Sequence, residues 1–189
     1  SVSGGSATES GSQSVTITIR DNESAGSVTL TVSATSIAEN AGSSLTITAT
    51  LSSTSDEDVT VALSTSGTAT EGTDFGTVSD ITISAGSTTG TVTFDPTDDN
   101  VYEGNETAGI SVSGVSGGGA SESGTQAVTI TITENESAPT VTLSTSGSSI
   151  AENAGSSLTL TATLSVATTA DVTVALSVSY THLTLPTIA

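Results

Sequence analysis

The residues of this sequence that could do chemistry are almost all carboxylates, and they are gathered in a few places. Asp74 sits in GTATEGTDF, and Asp98, Asp99, Glu103 and Glu106 crowd into DDNVYEGNE. Glu39 follows a short apolar stretch, and Glu134 and Glu136 flank Asn135. The four acids from Asp98 to Glu106 fall within nine residues that contain no Lys or Arg. Two unit charges about 4 Å apart cost roughly 4 kcal/mol at an effective dielectric near 20. Either these loops splay into solvent or a cation neutralises them. A loop-borne, highly charged, all-oxygen donor set suits calcium, which takes about 6–8 oxygen ligands. Magnesium demands tighter octahedral geometry, and zinc or copper favours His and Cys. The competing reading is a solvated acidic surface, as on salt-adapted proteins. Asp56, Glu57, Asp58, Asp80, Glu122 and Asp171 are assigned to such a surface.

Other chemistry is poorly supplied. The chain of 189 residues has 20 Asp and Glu against a single Lys or Arg, Arg20, for a net charge of −19. Nucleic-acid binding needs Lys and Arg against phosphate, and an anionic membrane surface would repel the chain. No stretch reaches the roughly 20 apolar residues of a membrane helix, so no membrane insertion is expected. The absence of Cys removes disulfides and thiolate metal sites together. With one histidine, His182, in a segment set aside below, a Ser–His–Asp arrangement is excluded. Paired carboxylates can hydrolyse glycosides, but such sites need an aromatic-lined cleft, and only Tyr102 lies near these acids. The chain is therefore expected not to be an enzyme. The sequons at Asn22, Asn105 and Asn135 lie in acidic loops and read as chance matches.

The elements that must position the acids repeat. SIAENAGSSLTITATLS at 36–52 recurs at 149–165 with one change, and DVTVALS at 58–64 recurs at 171–177. VTITIRDNES at 15–24 matches VTITITENES at 128–137, so every pair is offset by 113 residues. The expected organisation is a C-terminal remnant at 1–24, a complete repeat at 27–137, and the N-terminal part of a third repeat at 139–177. VSYTHLTLPT at 178–187 matches a one-frame translation of DNA that resembles a transposase adapter used for sequencing libraries, with a divergent loop as the alternative. Residues 178–189 are thus read as adapter sequence and not native.

Period-2 runs rich in Val, Ile and Thr predict strands at 28–32, 45–51, 59–63, 78–83, 90–94, 108–112 and 128–132. Leu45, Ile47, Ala49 and Leu51 should face inward and Thr46, Thr48 and Thr50 outward. Seven short strands in about 110 residues describe an all-β, immunoglobulin-like antiparallel β-sandwich in tandem repeats, with a barrel as the main competitor. Loops alternate between the two ends of a sandwich, so several acids could converge at one pole.

Residues 27–137 resemble a Calx-beta domain. The resemblance rests on AEN at 38–40, GTATEGTDF at 67–75, FDPTDD at 94–99, YEGNE at 102–106 and ITITENE at 130–136. It implies that Ca2+ is held at one end of the sandwich by Glu39, Asp74, Asp98, Asp99, Glu103 and Glu106, with Glu134 and Glu136 closing the site. Asp21 and Glu23 would be closing ligands of the first copy, and Glu152 the counterpart of Glu39 in the third. The expected role is a structural or adhesive, calcium-stiffened spacer in a large secreted or cell-surface protein whose secretion signal is not present in this sequence. Its partners would be calcium ions and neighbouring repeats of the same chain, with protein or glycan ligands engaged through other domains. The alternatives are a carbohydrate- or protein-binding module in which calcium is incidental, and a salt-adapted spacer without specific ion sites. The two incomplete repeats come from opposite halves of one module, so their open edges are expected to pair between molecules.

Overall fold

A computed structural model describes residues 4–8, 10–18, 24–153 and 155–179. Asp21, Glu23 and nearly all of the adapter-like tail lie outside the described residues. Every regular element among those described is a strand.

The middle repeat is a two-sheet sandwich. One sheet runs in the order β6 (Thr89–Phe94), β3 (Leu45–Leu51), β1 (Ser27–Val32), β9 (Ser121–Glu122). The other runs β2 (Ser36–Ala38), β10 (Ala127–Thr133), β8 (Glu106–Ser116), β4 (Val59–Gly67), β5 (Ile81–Ile83). The chain leaves β1 in the first sheet and crosses at once to β2, which lies parallel to β10 in the second. The long pairings β1·β3, β3·β6, β4·β8 and β8·β10 are antiparallel. These features make the immunoglobulin-like sandwich, and two separate sheets exclude a closed barrel.

Alternation builds the core. In β3, Leu45, Ile47, Ala49 and Leu51 are buried while Thr46 is exposed, as the period-2 pattern requires. They meet Val59, Val61, Ile110 and Ile130 of the facing sheet, all fully buried. Phe75 and Phe94 stack with ring centroids 4.8 Å apart, and neither is exposed. Phe94 ends β6 and Phe75 follows Asp74, so this pair ties two acidic loops to the core.

Several boundaries differ from the sequence expectation. β4 and β8 run on to Gly67 and back to Glu106, held by continuous pairing with one register shift between Ala62 and Leu63. The expected strand at 78–83 begins only at Ile81. Before it, side chains take the bonds a ladder would make: Val78 N–H donates to Glu71 Oε1, and Leu63 N–H to Asp80 Oδ1. The strands β2, β7 (Val101–Tyr102) and β9 are too short to show alternation. Gly67 has φ +116°, and a Cβ there would lie 2.1 Å from the Thr107 carbonyl oxygen, so the end of β4 requires glycine.

Among the described residues, neither flank forms a two-sheet sandwich of its own. Among the described residues of 1–24 there is no strand, and Val15 and Ile17 are exposed. In the third copy β11 (Val141–Thr145) pairs with β12 (Leu160–Leu164), leaving Leu143 and Leu160 more than half exposed. No strand forms at 171–179, so Asp171 opens none. A final short strand, β13 (Ala167–Thr168), pairs in parallel with β7 of the middle copy.

Candidate metal centre

The topology brings one set of strand ends together. β2, β4, β6 and β10 finish at the same pole, and β8 begins there with Glu106. Each of these ends delivers acids. Glu39 follows β2, Asp74 lies in the loop after β4, Asp98 to Glu103 lie between β6 and β8, and Glu134 and Glu136 follow β10.

Two triads result. Carboxylate oxygens of Glu39, Glu134 and Glu136 lie within 4.8 Å of one another, as do those of Asp74, Glu103 and Glu106. All six residues are half-buried. Asp98 and Asp99 are exposed and belong to neither triad. Asp99 N–H donates to Glu39 Oε1 at 3.3 Å, and its Oδ1 accepts the Val101 N–H at 2.7 Å, which closes its own turn. Asp98 contributes negative charge near Glu136.

Glu134 organises the pole. Its Oε2 accepts the N–H groups of Glu103 at 2.6 Å and Gly104 at 2.8 Å, and its Oε1 those of Asn135 at 2.9 Å and Glu136 at 3.0 Å. Glu134 N–H in turn donates to Asn105 Oδ1 at 3.0 Å. Asp74 Oδ2 accepts the Thr70 N–H at 2.6 Å, and the Asp74 carbonyl accepts the Thr97 N–H at 2.9 Å, joining two acidic loops.

The electrostatics follow from this crowding. Burial, reinforced by the charges of Glu134, Glu136 and Asp99 and opposed by the Asp99 N–H, raises Glu39 to about 7. Burial and then the charge of Asp74 raise Glu106 to about 7 as well. Glu103 is raised by burial and by Asp74, Asp99 and Glu134, and Glu136 by its hydrogen bond with Glu134. Glu134 goes the other way. Burial opposes its charge, but the N–H groups of Glu103, Glu136 and Gly104 hold it down at about 2.

A pH dependence follows. Glu39 and Glu106 bind protons in the folded chain up to about pH 7 but in the unfolded chain only up to about 4.5. Their contribution to stability is present at low pH and lost as pH rises through 7. Glu134 contributes above about 4.5 and loses its contribution as pH falls towards 2. In buffer stripped of divalent cations, the melting midpoint should therefore be higher at pH 5 than at pH 8. Glu39→Gln should flatten part of that difference.

The arrangement fits a hard cation. Glu136 Oε2 is buried and meets no hydrogen-bond donor among the described residues. A carboxylate oxygen withdrawn from water without a donor is costly, and here it borders a group of carboxylates with no basic side chain among the described residues. All donors are oxygen, which excludes the thiolate and imidazole chemistry of soft metals.

Some polar roles were not visible in the sequence pattern. Glu71 holds the loop after β4, accepting Thr65 Oγ1–H at 2.8 Å and the Val78 N–H at 3.1 Å. Asn105, read as a chance sequon, orients Glu134. Several acids assigned to an idle surface cap turns instead. Asp58 Oδ1 accepts the Ala85 N–H at 2.8 Å, Asp80 the Leu63 N–H, Glu57 the Gly118 N–H and Glu122 the Gln126 N–H. The only available signal was their position beside turn glycines and strand ends.

Comparison with known proteins finds one family model and several solved structures similar to this chain. Residues 26–135 match the family model described as the LapA domain. Among solved structures, the apo-form Calx CBD1 domain is similar at 20% identity and a TM-score of 0.48, covering 58% of this chain and 98% of that one. CBD12 from CALX1.2 is similar at 21% identity and 0.48, covering 57% of this chain and 44% of that one. The calcium binding domain CBD12 of CALX1.1 follows at 24% and 0.46, covering 52% and 42%. No curated protein matches the chain.

Proposed function

Because the chain belongs to the LapA domain family, matched over the whole sandwich, we propose that each complete repeat is a calcium-binding structural module that acts as a spacer in a secreted or cell-surface adhesive protein. The observation that carries the calcium reading is the buried Glu136 Oε2, without a donor among the described residues, within a pole of converging carboxylates. Glu39, Glu134 and Glu136 would hold one ion, and Asp74, Glu103 and Glu106 a second, with Asp98 and Asp99 at the rim. Calcium suits these residues because it accepts many oxygen ligands at irregular angles.

The bound ion supplies positive charge where four loops meet. This chain's own residues do the rest. Glu134 fixes the Glu103–Gly104 turn, Asp99 closes the turn before Val101, and the Phe75–Phe94 stack anchors both loops to the core. The same pole leads directly into the linker 137–139 and carries β7, against which the third copy pairs. Ordering these loops would stiffen the junction between copies, which is how such a repeat can serve as a spacer.

Isothermal calorimetry of the full chain tests the reading. Calcium should bind with saturable heat, and affinity should fall about tenfold per site from pH 8 to pH 6, because each triad contains one carboxyl that titrates near 7. Magnesium should bind more weakly. Equal, unsaturable heats from calcium, magnesium and sodium would leave only an acidic surface.

A further inference from the structure

The pole opposite the triads carries a groove of about 660 Å³, bordered by Gly26, Thr54, Ser55, Gly86, Gly118 and Gly119. Its position gains meaning from the repeat. Counting by the 113-residue period, Thr54 and Ser55 are the middle-copy counterparts of Ala167 and Thr168 in the third copy. Ala167 and Thr168 form β13, which pairs in parallel with Val101 and Tyr102 in the acidic loop of the copy before it. The structure thus shows one copy using these positions to receive its predecessor's loop.

We propose that the groove is the socket for the acidic loop of the preceding copy, the counterpart of residues 95–106, which adds to Thr54–Ser55 as a short parallel strand. The middle copy holds the complete socket, whereas the third copy carries only part of it in this sequence. Thr54 is exposed and makes no hydrogen bond among the described residues, so its backbone is available for pairing. The glycines at Gly26 and Gly118 let the segments that border the socket pack closely. A Cβ at Gly118 would lie 2.1 Å from Ser55 Oγ, and one at Gly26 would lie 2.7 Å from Leu51 Cδ1. Glycine in such places admits a close backbone approach. Gly26 also belongs to the linker from the preceding copy, as its counterpart Pro139 does to the next, so that neighbour is tethered beside the groove. The inference stands whether or not a cation is held at the other pole.

Cross-linking tests it, since the chain has no cysteine. Paired strands lie about 4.8 Å apart, within the roughly 4.4–6.8 Å Cα separation that a disulfide spans. The reference is the full chain carrying Val101→Cys and Ala167→Cys. The test protein is the full chain with residues 25–137 present twice in succession, carrying Val101→Cys in the first copy and Thr54→Cys in the second. Asp56 stands at the rim where the third copy has Thr169, so oxidation is run near 0.15 M salt, where charges are screened beyond about 8 Å. Intramolecular disulfide in the test protein, to within about twofold of the reference, is the expected result. Absence of that disulfide overturns the proposal, whether the reference pair links or not.

Discussion

Replacing Glu134 by alanine should weaken calcium binding on the order of 100-fold and lower the stability of the cation-free chain as well. The two effects have separate causes. One is the loss of a carboxylate from the Glu39–Glu134–Glu136 triad. The other is the loss of an acceptor for the N–H groups of Glu103, Gly104, Asn135 and Glu136. Hydrogen bonds to a charged group contribute about 1.5–3 kcal/mol each when protected from water. At this half-exposed position the set is expected to contribute about 3 kcal/mol in all. The effect on affinity exceeds that of one lost ligand, because Glu103 belongs to the second triad and its backbone is set by Glu134; groups that orient ligands typically cost 10–100-fold when removed. Glu134→Gln retains one acceptor oxygen without the charge and should fall between. Calorimetry for affinity and urea melts in chelator for stability read the two parts separately. An alanine variant with unchanged affinity would show that the ion is not held here.

Phe94→Ala should destabilise the middle repeat by about 3–5 kcal/mol, the usual cost of emptying a fully buried aromatic site. Phe94 is one of two phenylalanines in the chain and has no exposed surface. Its stack on Phe75 is lost with it. For a domain of about 110 residues this corresponds to a fall in melting midpoint on the order of 15 °C. The stack also fixes Asp74 and the loop that starts at Asp95, so the variant should bind calcium more weakly even at temperatures where it is folded. Phe94→Leu refills much of the volume and should recover most of the stability. A Phe94→Ala variant that melts within a few degrees of the parent would show that this end of the core is loosely packed.

Long alternating runs make much of the fold legible in the sequence itself. The inward set Leu45, Ile47, Ala49 and Leu51 and the outward threonines of β3 follow from the pleat alone. The ends of β4 and β8 are not legible in this way, because Ser64 to Gly67 and Gly114 to Ser116 have no apolar alternation and are strand only through the partners they pair with. The start of β5 is obscured for the opposite reason: Val78 fits the pattern, yet Glu71 and Asp80 side chains occupy the neighbouring backbone groups.

At the acidic pole, composition and loop position are enough to expect the acids to converge, since strand ends must meet at the two poles of a sandwich. The division into two triads, with Asp98 and Asp99 outside both, depends on which backbone N–H groups each carboxylate captures. That is a property of loop conformation and leaves no spacing in the sequence. The same holds for Glu134, whose neighbours in sequence give no sign that it anchors a turn some thirty residues away.

The most direct test of the calcium reading is a thermal melt of the full chain at pH 7.5, in chelator and then with calcium at about 100 times its dissociation constant. Binding only the folded state at that excess stabilises by about 2.7 kcal/mol, which corresponds to a rise in midpoint on the order of 10 °C. The expected result is that rise, with sodium chloride at matched ionic strength producing much less. A midpoint that calcium leaves unchanged, or that sodium chloride raises equally, would contradict it.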